Sequence, residues 1–260
     1  NAIKQHLQIG DIYEMNFCQE FYVNNLTLDP FILFSKLNDK SKAPFSSFYK
    51  INHHFCLCAS PERFLKKVGD RIISQPIKGT MKRLHDDVLD KKQEQNLLNS
   101  SKDFSENVMI VDLVRNDFSR FAKKKSVHVD ELAGLYTYTD VHHLVSTISC
   151  ELDDQKHLVD SITSSFPMGS MTGAPKIKSM ELIEKYERTL RGLYSGSIGY
   201  IKPNKDFDFN VVIRSIFYNQ KSRYLSFMVG GAITIDSDPE LEYEECLTKA
   251  KSIFNVLEND

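Results

Sequence analysis

What most constrains this chain is where its strand-forming residues lie. Runs rich in β-branched and aromatic residues, punctuated by Gly, Asn and Pro, occur at Tyr13 to Val23, Phe45 to Ala59 and Arg71 to Ile73. They return at Ser195 to Lys202, Asn210 to Tyr218 and Tyr224 to Ile235. Helical patterns fill the middle and the C-terminal end. Strands, helices and strands again predict an α+β fold whose sheets draw strands from both ends of the chain. No repeat and no low-complexity linker interrupts the pattern, so residues 1–260 read as a single large domain.

Charge and hydropathy exclude several function classes. Lys+Arg 33 against Asp+Glu 35 leaves −2, and the one dense basic run, Lys123-Lys124-Lys125, is too short to follow a phosphate backbone. A nucleic-acid partner is therefore not expected. With 41% apolar and 11% aromatic residues the chain is not disordered. It has no 18-residue apolar window and no secretory signal at Asn1-Ala2-Ile3-Lys4-Gln5-His6, so a cytoplasmic protein without a membrane partner is expected. Five cysteines cannot form a complete disulfide framework, and Cys56 and Cys58, pointing the same way from one strand, are expected to be buried rather than metal-bound.

Three helices are predicted. The one around Ser100 to Asn116 has Leu97, Phe104, Val108 and Val111 on one face, yet Met109, Ile110, Leu113 and Val114 make its second half apolar almost all round. Its charges Asp103, Glu106 and Asp112 are costly to bury unless paired or bound to a cation. A second helix starts at Pro175, runs through Ile177, Met180, Ile183, Tyr186 and Leu190, and stops at Gly192. The third has Asp238 as N-cap, Pro239 at its first position and Tyr243, Leu247, Ala250, Phe254 and Leu257 as its core stripe. Glu242, Glu245 and Lys249 then form a stripe roughly 130° away, which by periodicity alone meets water, although carboxylates so spaced also suit Mg²⁺.

Several short segments carry possible chemistry. In Ser74-Gln75-Pro76-Ile77-Lys78-Gly79-Thr80 a lone lysine follows a strand, where Pro76 and Gly79 predict a strand end opening into a turn. Held against an apolar wall, Lys78 would have a lowered pKa and serve as a nucleophile or base; otherwise it is an ordinary loop lysine. Glu62 is a general acid or base, a first-turn helix acid, or the partner of Arg63. Of His142 and His143 one must point inward if they lie on a strand. The loop Phe166 to Lys176 feeds a helix N-terminus able to bind an anion, Gly230-Gly231-Ala232 lets a ligand approach backbone, and Arg214 in an apolar strand wants a carboxylate.

Taken together, Gly10-Asp11-Ile12-Tyr13, Ser60-Pro61-Glu62-Arg63-Phe64, Pro76-Ile77-Lys78-Gly79-Thr80, the run Glu106 to Asp117, Val141-His142-His143-Leu144-Val145-Ser146, Thr172-Gly173-Ala174-Pro175-Lys176 and Ile213-Arg214 resemble the successive motifs of the chorismate-utilising enzymes. Lys78, where anthranilate synthases carry alanine, resembles the aminodeoxychorismate synthase branch, as do Glu106-Asn107 and the His142-His143 pair.

The resemblance implies large antiparallel β-sheets in a sandwich flanked by helices, and amination of chorismate at C4 on the para-aminobenzoate and folate route. It makes Glu62 the acid for the departing hydroxyl, Lys78 the covalent nucleophile at C2 and His143 an active-site histidine. Mg²⁺ would be held by Glu106 and Glu245, with Glu242 close by. Arg214, Tyr200 and the backbone of Gly230, Gly231 and Ala232 would hold carboxylates, Gly79 and Thr80 would line the lysine turn, and Lys249 would face the acidic ligands. Ammonia would come from a glutamine amidotransferase subunit. Three positions depart from the family pattern: Glu14 replaces glutamine or the water-activating lysine, Asp103 is a shorter acid, and Ala232 replaces glycine. Family members commonly carry a further N-terminal segment, so the chain reads as the chorismate-binding domain alone. The alternatives are anthranilate or isochorismate as product, or a catalytically silent chorismate-binding subunit.

Overall fold

A computed structural model describes residues 1–138 and 141–258. In chain order the elements are α1 (Ala2–Gln8), β1 (Glu14–Val23), α2 (Pro30–Ser41), β2 (Phe45–Ile51), β3 (His54–Ser60), β4 (Arg63–Val68), β5 (Arg71–Gln75), β6 (Ile77–Lys82), α3 (Asp87–Leu98) and α4 (Ser101–Phe118). There follow β7 (His128–Thr137), β8 (Val141–Glu151), α5 (Leu158–Ser165), β9 (Gly173–Ala174), α6 (Lys176–Tyr186), β10 (Gly199–Ile201), β11 (Phe207–Asn210), β12 (Ser215–Asn219), β13 (Tyr224–Ile233) and α7 (Pro239–Leu257). The fold is α+β with antiparallel sheets, and it divides into two compact units. The first comprises Asn1–Glu62, Met171–Ile198 and Asn210–Asp260, the second Arg63–Ser170 and Gly199–Phe209. Because the chain passes between the units four times, no single linker of distinctive composition marks a boundary.

The first unit is built on a six-stranded sheet in the order β2-β3-β12-β13-β1-β9. The expected strand from Phe45 to Ala59 is two strands, because Asn52 takes a positive φ of 52° and turns the chain into a hairpin. Leu33 and Leu37 of α2 and Cys246, Ala250, Ile253 and Val256 of α7 pack with Leu57, Ile216, Phe227 and Val229 of the sheet. A fully buried leucine such as Leu57 stabilises by roughly 1.5–3 kcal/mol. Both helices start where their caps dictate: Asp29 accepts from the N–H groups of Phe31 and Ile32, Asp238 from those of Glu240 and Leu241, and a proline follows each. Cys56 and Cys58 are buried together against Val212, and the five cysteines are free.

α6 ends at Tyr186, short of the expected Gly192, and its buried residues are Ser179 and Leu182, whereas Ile177 and Leu190 are exposed. The segment from Ser195 keeps strand pairing only at Gly199–Ile201, and the run from Asn210 breaks at 211–214 before β12.

The second unit holds a seven-stranded sheet, β10-β11-β4-β5-β8-β6, with β7 on the other side of β8. Here the expected turn after Gln75 is absent. β5 and β6 pair with successive parts of β8, and Pro76 merely interrupts the ladder, since its carbonyl still accepts the Ser146 N–H at 3.2 Å. The register then shifts between Ile77 and Thr80, so Lys78 and Gly79 form a bulge, with Gly79 at φ 87°. α4 is capped by Ser100, and it buries Glu106, Asn107, Ile110, Val111 and Val114 while Phe104 and Val108 stay exposed.

Candidate active site

In the second unit the bulge of β6 meets α4. Lys78 is 8% exposed, and its Nζ lies 3.7 Å from Oε2 of Glu106. Lys102, one turn earlier on the helix, brings a second ammonium to 3.9 Å from Oε1. Glycine at position 79 serves two needs: its φ is positive, and a Cβ there would stand 3.1 Å from the Asp103 side chain. Thr80 Oγ1 and His143 Nδ1 are 2.8 Å apart, with the ring of Tyr138 edge-on to the imidazole at 5.6 Å. Lys78, Glu106, Thr80 and His143 thus share one unit and the β6–β8–α4 framework.

Both adjacent histidines are buried, because strand alternation sends them to opposite faces of a covered sheet. The His142 ring nitrogens lie 2.9 Å from Asp90 Oδ1 and 2.9 Å from Thr137 Oγ1. Asp90 also accepts the Leu84 N–H at 2.8 Å and the Arg83 Nε–H at 3.1 Å. The Leu84 N–H and then His142 hold its carboxyl down from 3.8 to about 2. Asp90, Glu94 and His142 are close enough to share a cation. With the Arg83 guanidinium also on Asp90, the group ties α3 to β8.

In the first unit the expected acid, Glu62, is buried at the end of β3, with its N–H donated to Ser60 Oγ at 3.2 Å and its carbonyl accepting the Val211 N–H at 3.1 Å. The Arg63 side chain forks onto Asp208 at 2.9 and 3.1 Å, an ion pair of its own. Arg214 sits in the break before β12 at φ 52°. Desolvation lowers its pKa, and among the described residues no carboxylate or other acceptor engages its guanidinium. A desolvated guanidinium is stabilised when an anion meets it.

The tyrosine electrostatically coupled to Arg214 is Tyr194, 5% exposed, whose phenol burial pushes well up. Tyr200, expected to hold a carboxylate, is 56% exposed on β10 of the second unit, with Lys202 Nζ 5.9 Å from its ring centroid. Sequence reasoning passed over Tyr194, an aromatic residue between Gly192 and Gly196 that no local pattern sets apart.

α7 carries the remaining candidates. A Cβ on Gly231 would stand 3.1 Å from Glu242 Oε2, 3.7 Å from Glu245 Oε1 and 3.8 Å from Lys249 Nζ, so the absence of a side chain admits all three. Lys249 bridges Glu245 at 2.6 Å and the Gly230 carbonyl at 2.9 Å, and Glu242 accepts from Ser237 Oγ at 2.7 Å. Gly230 and Ala232 pair with Cys18 and Asn16 of β1. A cavity of about 350 Å³ reaches Gly231 and Glu242, but its other walls include Ile3, Phe17, Ile233 and Tyr243. Arg214 does not line it. Within the first unit Glu242 and Glu245 offer carboxylate oxygens, and in the second Glu106 does, a donor type that suits Mg²⁺ rather than a softer metal. Glu14 is buried at the start of β1, where its residue pairs with Ala174.

Residues 1–255 match the family model described as chorismate binding enzyme. The chain is 42% identical over 257 residues to the aminodeoxychorismate synthase component 1 of Salmonella typhimurium, covering 99% of this chain and 56% of that protein. It is 36% identical to the anthranilate synthase component 1 of Thermus thermophilus, covering 97% of this chain and 54% of that one. Among solved structures, anthranilate synthase component I from Streptococcus pneumoniae superposes with a TM-score of 0.87 at 29% identity, over 96% of this chain and 55% of that chain. The chain thus spans about half the length of the curated relatives it matches. It belongs to the family of chorismate binding enzymes.

Proposed function

We propose that this chain carries the chorismate-converting activity of an aminodeoxychorismate synthase component 1, forming 4-amino-4-deoxychorismate from chorismate and ammonia. The observation that carries the reading is the buried Lys78 amine, set in a strand bulge 3.7 Å from a carboxylate. A buried lysine at a strand irregularity is suited to nucleophilic attack. In the proposed chemistry the Lys78 amine bonds to C2 of the ring, the two ring double bonds shift, and the C4–O bond breaks. Glu62, as general acid, gives the departing hydroxyl its proton so that it leaves as water. Ammonia then bonds to C4, the double bonds shift back, and the C2–N bond to Lys78 breaks. Arg214 receives a carboxylate of the substrate, and Thr80 fixes the orientation of the His143 ring.

We further propose a dependence on Mg²⁺, with Glu106, Glu245 and Glu242 as the candidate ligands. When bound, the ion supplies a fixed positive charge that orients the ring carboxylate. The relatives' designation as component 1 supports a separate partner, for which a glutamine amidotransferase supplying ammonia is the chemistry required. Five free cysteines agree with a reducing, cytoplasmic setting.

The test is product analysis with chorismate, Mg²⁺ and ammonium. Mass spectrometry should find aminodeoxychorismate, and Lys78→Ala should lower its formation by about a hundredfold or more. Anthranilate fluorescence from the unaltered protein would contradict the reading.

A further inference from the structure

The bulge that carries Lys78 is met by a side chain of α4. Ile77 pairs with Val145 and Thr80 with His143, so the register shifts across Lys78 and Gly79. Asn107 bonds the carbonyl of Lys78. Its side chain is fully buried, and its Nδ2 donates to the carbonyls of Lys78 and Asp103, each at 2.9 Å.

The other end of the amide is fixed just as firmly. Ser146 Oγ accepts the Ala133 N–H at 3.0 Å, so its own proton goes to Asn107 Oδ1, also at 3.0 Å. Two carbonyls can only accept and this hydroxyl must donate, so the amide has one orientation. Glu106, the next residue on α4, meets the Lys78 ammonium. Consecutive residues of one helix turn therefore address the backbone and the tip of the same lysine.

We infer that Asn107, oriented by Ser146, is the positioning residue that sets where the Lys78 amine stands. This rests on the reading of Lys78 as nucleophile, and it adds the device by which the nucleophile is aimed. A side chain that only filled space would not need both amide hydrogens on carbonyls from two different elements. A shift of the bulge by about 1 Å would leave the protein folded and the amine misdirected, which is enough to cost on the order of a hundredfold in rate.

The experiment compares the unaltered protein with Asn107→Asp, which keeps the shape but loses both N–H donors, and with Ser146→Ala, which loses only the orienting hydroxyl. Each is assayed with chorismate, Mg²⁺ and ammonium. In parallel, the rate of Lys78 acylation by an amine-reactive ester is followed against pH by peptide mass spectrometry. Asn107→Asp should lower kcat about tenfold or more while KM for chorismate stays within about threefold, and it should shift the pH profile of Lys78 acylation. Ser146→Ala should do the same to a smaller degree, and the double variant should lose little beyond Asn107→Asp.

Folded variants with an unchanged acylation profile and kcat within about twofold would overturn the inference. Should Asn107→Asp fail to give a cooperative melt, Ser146→Ala alone decides by the same two readouts. If the unaltered protein does not aminate chorismate, the functional reading fails, and the acylation profiles still decide whether Asn107 sets the environment of Lys78.

Discussion

A guanidinium removed from water is destabilising unless an anion meets it, and Arg214 has no protein anion among the described residues. Its positive φ of 52° adds strain at a non-glycine position. Both features suit the carboxylate-binding role proposed for this residue. Arg214→Met is therefore expected to leave the melting temperature unchanged or raise it, while chorismate affinity measured by calorimetry falls at least about tenfold. A large drop in melting temperature with affinity intact would mean that Arg214 serves the fold instead. The arginine was legible in the sequence as an isolated charge in an apolar run, but the break in the strand that gives it a positive φ was not, because nothing in the local pattern marks it.

At the level of elements, α3 is tied to β8 through Asp90, and the tie has a defined pH dependence. The Asp90 carboxyl sits at about 2 in the folded protein against an ordinary 3.8. A lowered folded-state pKa contributes stability that is full above about pH 4 and is lost as the pH falls toward 2. Asp90→Asn, measured by denaturant unfolding, should thus be less stable than the unaltered protein at pH 5, with the difference shrinking steadily toward pH 2. A difference constant across that range would contradict the assignment.

The two helices bearing most of the acidic candidates show where sequence reasoning stopped. Periodicity put Phe104 and Val108 on the buried face of α4, and Tyr243 and Leu247 on that of α7. In the structure these four are among the exposed residues, while Val111, Ala250, Phe254 and Leu257 of the same stripes do pack inward, joined by Ile110 and Val114 on α4 and Cys246 and Ile253 on α7. Both helices are apolar over a wide arc, so hydrophobic burial alone does not fix their rotation. The choice made buries Glu106 and Asn107 and carries Glu242 and Glu245 beside Gly231. The cap at Asp238 and most strand runs were legible directly, since they depend on near neighbours, whereas the helix capped by Asp29 was not predicted. The bulge at Lys78 could not, because it is a mismatch in length between two strands distant in sequence.

At the scale of the whole molecule the candidate residues are divided between the units. The amine, Glu106, Thr80 and His143 belong to the second unit, and Glu62, Arg214, Glu242, Glu245 and Lys249 to the first. The chain belongs to the chorismate binding enzymes, and the amination proposed for it rests on Lys78. The most direct test is to mix the protein with chorismate and Mg²⁺ without any ammonia source, quench, and map the peptides by mass spectrometry. Lys78 is expected to gain the mass of chorismate less one water, and added ammonium to discharge this adduct as aminated product. Aminated product formed while Lys78 stays unmodified throughout would contradict the covalent role of Lys78.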